Sequence, residues 1–143
     1  MLRILKILAV VASCLVDHMA VAQEGPSSPD LPIVRKFTRF VPSGEGRTIG
    51  SVTALYPGCS SMGSIVGRVV EKPTRGEVSF DTRNIFPNYP QTSPLFSCNS
   101  KRAPGVTINY RPERDFIGQD SMKIFLIFPD GSGAEWEYIL IVK

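Results

Sequence analysis

The sequence predicts an all-β sandwich of about seven antiparallel strands. Three observations carry that expectation. Short alternations of apolar and polar residues recur from Ile33 to Lys143, broken at close intervals by Gly, Pro and Asp. No amphipathic run in that stretch is long enough for a sustained helix. Two cysteines, Cys59 and Cys98, fall in turn and loop sequence between the strands.

Residues 1–22 read as a segment apart from the domain. Arg3 and Lys6 precede an apolar run at 7–16, and "AVA" at 20–22 has the small-x-small form after which signal peptidases cut. The run is about ten residues, and a bilayer-spanning helix needs about twenty. A cleaved secretory signal is therefore expected, with a periplasmic or extracellular mature chain that carries no transmembrane segment. "VASC" at 11–14 offers the alternative of a lipoprotein anchored through Cys14. Residues 23–32, "QEGPSSPDLP", have almost nothing to bury and are expected to be a flexible leader. A single domain follows at 33–143, long enough to hold a real core.

Export changes the chemistry that remains. His18 is the only histidine of the 143 residues and leaves with the signal, as does Cys14. Cys59 and Cys98 remain as an even pair in an oxidising compartment, so one disulfide is expected. Closing a loop of that size is worth roughly 4 kcal/mol in the chain-entropy estimate. The formal charge of +3 falls further when Arg3, Lys6 and Asp17 are removed, and no basic cluster marks a nucleic-acid footprint.

The strands follow in order. "IVRKFTRFV" at 33–41 puts Ile33, Phe37 and Val41 on one face with Arg35 and Arg39 beside them, which suits an edge strand. "TIGSVTALY" at 48–56 and "SIVGRVVE" at 64–71 flank the turn "PGCSSMG", and "GEVSF" occupies 76–80. "GVTINY" at 105–110 aligns Val106, Ile108 and Tyr110. "SMKIFLIF" at 121–128 aligns Met122, Ile124, Leu126 and Phe128. "AEWEYILIV" at 134–142 sets Trp136, Tyr138, Leu140 and Val142 against Glu135 and Glu137, so the aromatics are expected in the core and the glutamates in solvent. "PDGSG" between the last two strands is a hairpin connection.

Residues 81–104 hold Pro87, Pro90, Pro94 and Pro104 with apolar residues scattered aperiodically, which excludes a central strand there. If Cys98 joins Cys59, this long loop is stapled to the turn at 57–63. Phe86, Tyr89 and Phe96 within it are the expected contacts to a partner, because loops on a rigid scaffold are where such folds bind.

In "YRPERDFIGQDSMKIF" at 110–125, Pro112 is expected to end a strand, Phe116 to return a ring to the core and Gly118 to permit a conformation that side chains resist. Asp120 is expected to cap the turn just before the next strand. The whole reads as a corner where the chain passes between sheets. The pattern Tyr110, Pro112, Phe116, Gly118, Asp120, Ser121 resembles the late-strand signature of bacterial immunoglobulin-like and cadherin-like domains of secreted and surface proteins. "PTRGEVSF" at 73–80 and the closing hairpin extend the resemblance over about residues 66–143. It implies an Ig-like antiparallel sandwich serving adhesion, spacing or ligand binding. The chain departs from the pattern in its single copy, its longer 81–104 segment and its cysteine pair. It also lacks the acidic clusters of cadherin-type calcium sites.

Zinc and imidazole-based nucleophilic chemistry have no histidine to use in the mature chain. "GEGRTIGS" at 44–51 has glycines but not the lysine of a phosphate cradle, and reads as a hairpin turn. The expected function is therefore non-catalytic: a monomeric module, with no cofactor or metal, that binds a protein or glycan through loops 57–63 and 81–104. The alternatives are a secreted inhibitor of a hydrolase and an enzyme working with carboxylates alone, with Glu135 and Glu137 as its pair.

Overall fold

The computed structural model describes residues 33–143. The expected signal at 1–22, the leader at 23–32 and Cys14 lie outside the described residues.

Seven strands form: β1 (Ile33–Val41), β2 (Arg47–Thr53), β3 (Val66–Glu71), β4 (Gly76–Ile85), β5 (Ala103–Pro112), β6 (Gly118–Ile127) and β7 (Gly133–Val142). They make a four-stranded sheet in the order β1-β7-β6-β3 and a three-stranded sheet in the order β2-β5-β4. The described residues contain no helix long and apolar enough to cross a membrane.

The core lies between the sheets and is built by period-two alternation. Along β7, Ala134, Trp136, Tyr138, Leu140 and Val142 are buried; along β6 so are Met122, Ile124 and Leu126. Val106, Ile108 and Tyr110 of β5 face them from the other sheet. Glu137 turns outward and meets Lys36 at 3.0 Å.

β1 is an edge strand as expected, but it runs parallel to β7 in an otherwise antiparallel pairing. The chain crosses to the other sheet between β1 and β2, so the first and last strands come to lie side by side. For the same reason residues 44–51 are not a hairpin turn: β1 and β2 lie in different sheets.

The irregular segment is shorter than 81–104. β4 runs on to Ile85, and β5 begins at Ala103, with Asn84 opposite Pro104. Likewise Pro112 does not end the strand at Tyr110 but pairs with Gly76. Both prolines thus sit in the central strand of a sheet, where a missing N–H is normally costly. They are tolerated because β2 covers β5 only from Gly105 to Tyr110. Pro104 and Pro112 lie just past each end of β2, so one side of the strand is free at both.

The corner at 110–125 does carry the chain from one sheet to the other, since β5 and β6 belong to different sheets. Phe116 packs against the core and Gly118 opens β6 at φ +142°. Asp120 is not placed before the strand. It is the third residue of β6, buried, and it holds a different turn. Its carboxylate accepts from the backbone N–H of Thr74 and of Arg75, both at 2.9 Å, in the connection between β3 and β4. The Thr74 hydroxyl, the Tyr110 hydroxyl and the Ser121 N–H donate to it as well. Burial alone would raise the Asp120 carboxyl, but these donors together hold it below the usual carboxylate range.

Candidate functional site in the stapled loops and the adjoining groove

After Ile85 the chain leaves the sheet and returns at Ala103. In between, Pro87, Pro90 and Pro94 deny it ladder donors, and it closes with a 3-10 turn at Phe96–Ser100. Cys98 in that turn is bonded to Cys59, whose φ of +68° marks the tight turn after β2. Around the disulfide a small second core forms from Leu55, Cys98 and Ala103, with Tyr89 and Leu95 packed against it. Asn99 completes the tie from both sides: Tyr89 N–H donates to its Oδ1, and its Nδ2 donates to the Tyr89 carbonyl, each at 2.9 Å. Segments 57–63 and 86–102 thus form one ordered end of the sandwich.

The three aromatics expected to meet a partner divide. Phe86 and Phe96 are exposed, and the Arg102 guanidinium lies 5.1 Å from the Phe86 ring centre. Tyr56, which sequence reasoning did not single out, is exposed at the same end. Tyr89 is half-buried. Its hydroxyl donates to the Thr53 carbonyl at 3.1 Å and accepts from the Thr53 hydroxyl at 2.9 Å, so it posts the loop against β2.

Beside this loop end lies a groove of about 720 Å³, within the range of ligand sites. It opens along the seam where β1 and β7 of one sheet face β2 of the other. Arg35, Phe37 and Arg39 of β1 form one wall, residues 48–53 of β2 the opposite wall, and Trp136 and Tyr138 part of the floor. Residues 87–90 close one end, so the stapled loop also shapes the groove.

The floor is an aromatic cluster. Phe37 meets Trp136 edge-on at 5.1 Å between ring centres and stacks on Tyr138 at 5.2 Å. The expected core placement of Trp136 and Tyr138 holds, at 8% and 0% exposure. Yet Trp136 Nε1 and the Tyr138 hydroxyl are the two buried side-chain polar atoms left without a hydrogen-bond partner among the described residues. Burial pushes the Tyr138 hydroxyl pKa up, with the nearby Arg39 charge opposing. Gly50 is required opposite it, because a Cβ there would run into the Tyr138 oxygen. Arg39 crosses the seam to donate from Nε to the Ile49 carbonyl at 2.7 Å and lies over the Phe37 ring.

Sequence reasoning missed the groove. Its one trace was the pair Arg35 and Arg39 on the same face of β1 as Phe37, two charges on the inward side of an edge strand. Among the described residues no cluster of three or more His, Cys, Asp or Glu stands in metal-binding array. The Asp120 carboxylate is occupied by its five donors. Compared with protein-family models, curated proteins and solved structures, the chain finds no match.

Proposed function

We propose that this chain is an exported, non-catalytic binding module of immunoglobulin-like type, whose stapled loop end engages a protein or glycan partner. The observation that carries this reading is the pair of exposed rings, Phe86 and Phe96, on a segment fastened by the Cys59–Cys98 bond and the Asn99 bridge. Exposed aromatics on a pre-ordered support lose little conformational entropy on binding, which makes them good anchors.

Export is supported by the apolar run at 7–16 followed by "AVA", and by a cysteine pair within bonding distance in the fold. The family reading is supported by strand order. β2-β5-β4 and β7-β6-β3 follow the B-E-D and G-F-C orders of immunoglobulin sandwiches, with the first strand on the G side.

Affinity capture from an envelope extract and on a glycan array, with the wild-type protein and the Phe86→Ala/Phe96→Ala variant, tests the binding surface. The variant is expected to lose the partner while keeping its melting temperature; equal recovery by both proteins removes the loop end from consideration. Mass spectrometry of the purified protein tests export, with an N-terminus at Gln23 expected and an intact Met1 counting against it.

A further inference from the structure

We propose that the groove between β1 and β2 is a second binding site, built to take an extended peptide strand that carries an acidic side chain. It goes beyond the loop-end reading and does not require Phe86 or Phe96.

Three independent features define the occupant. Among the described strands, β1 pairs with β7 alone and β2 with β5 alone, so each keeps one unpaired backbone edge, and both border the groove. Unpaired strand edges are templates for an added strand. On β2 the carbonyls of Ile49 and Thr53 are capped by Arg39 and Tyr89, whereas Ser51 between them has no such cap. Six consecutive residues, 48–53, line that wall. At strand rise this run is about 20 Å long, a length that suits an extended chain better than a compact molecule.

The charge points to an acidic occupant. Two arginines and no carboxylate line the groove, and among the described residues neither Arg35 nor Arg39 takes part in an ion pair. Arg35 is exposed in the groove, so its charge is open to such an occupant. The aromatic floor accommodates the apolar side chains that alternate with the acidic one.

Trp136 is the chain's single tryptophan, so its emission reports this site alone. The oxidised protein is panned against random heptapeptides displayed on phage, and selected peptides are then titrated while Trp136 emission is followed. Enrichment is expected for alternating β-branched residues with at least one Asp or Glu, together with a saturable shift of the emission. Replacing that acid by its amide, or Arg35 by Gln at its exposed position, is expected to weaken binding about tenfold, as loss of a charged contact does. Phe86→Ala is expected to leave it unchanged, which separates this site from the loop end. The proposal is overturned if no peptide is enriched, or if selected peptides bind Arg35→Gln as well as wild type and leave Trp136 emission unmoved. It is equally overturned if binding appears only after residues 23–32 are removed, since the groove then belongs to the chain's own leader.

Discussion

The hydroxyl of Tyr110 donates to the carboxylate of Asp120 at 2.9 Å, and the two residues stand on opposite sheets. The bond crosses the sandwich at the corner between β5 and β6. The same carboxylate gathers the Thr74 and Arg75 amides, so the corner and the β3–β4 connection are held by one anion. The tyrosine pKa is raised by burial and by this bond, which keeps the hydroxyl protonated as the donor.

Removing that anion should be among the most destabilising single changes in the domain. Asp120→Ala leaves three backbone amides and two hydroxyls, that of Tyr110 buried, without their acceptor, and is expected to cost about 3 kcal/mol. Tyr110→Phe removes one donor of five and is expected to cost about 1 kcal/mol. Urea unfolding of both variants and of the double variant checks this. Because Asp120→Ala already abolishes the shared bond, the double variant should fall short of the sum.

The same residue sets a pH dependence. The carboxyl is held below the ordinary carboxylate range in the folded chain. The folded state therefore binds the proton less readily than the unfolded chain does. Its contribution is fully present above an ordinary unfolded carboxyl pKa and is lost as pH falls through the lower folded value. Melting temperature recorded from neutral pH down to about pH 2 should drop steeply below about pH 4. In Asp120→Asn that part of the slope should be missing, and a slope equal to wild type would contradict the assignment.

Reduction should loosen the loop end before it unfolds the sandwich. The disulfide spans a sequence separation of 39 residues. Cys59→Ala/Cys98→Ala is expected to lose roughly 4 kcal/mol by the chain-entropy estimate. Hydrogen exchange should show the Tyr89 amide, which donates to Asn99, losing protection first, while the β6 and β7 amides keep theirs.

The fit between Gly50 and Tyr138 makes a paired test. Gly50→Ala drives a methyl group into the Tyr138 hydroxyl oxygen and is expected to cost about 2 kcal/mol. Tyr138→Phe removes a buried hydroxyl that has no partner among the described residues, so alone it should be neutral or slightly stabilising. Combined, the second change should recover much of the loss caused by the first. Thermal unfolding of the four proteins reads this directly.

Much of this fold was legible along the chain because strands write their burial locally. The alternation in β5, β6 and β7 named Ile108, Tyr110, Met122, Ile124, Tyr138 and Leu140 as inward residues, and all six are fully buried. The two cysteines announced their bond by being an even pair once Cys14 is set apart with the segment read as a signal. The crossing at 110–125 was likewise readable from the polar break between two apolar alternations, although Pro112, Gly118 and Asp120 proved to lie within the strands that flank it. What stayed hidden depended on pairs of residues far apart in sequence. Pro104 and Pro112 looked like breakers until the length of β2 determined which stretch of β5 has a neighbour on both sides. Asp120 looked like a local cap, and only the packing of the two sheets brought Thr74 and Arg75 to it across some forty-five residues. The groove is the extreme case. Periodicity records which face of a strand is apolar, but not which strand edges remain unpaired, and two such edges with two unsatisfied donors came together only when β1 joined β7 instead of β2.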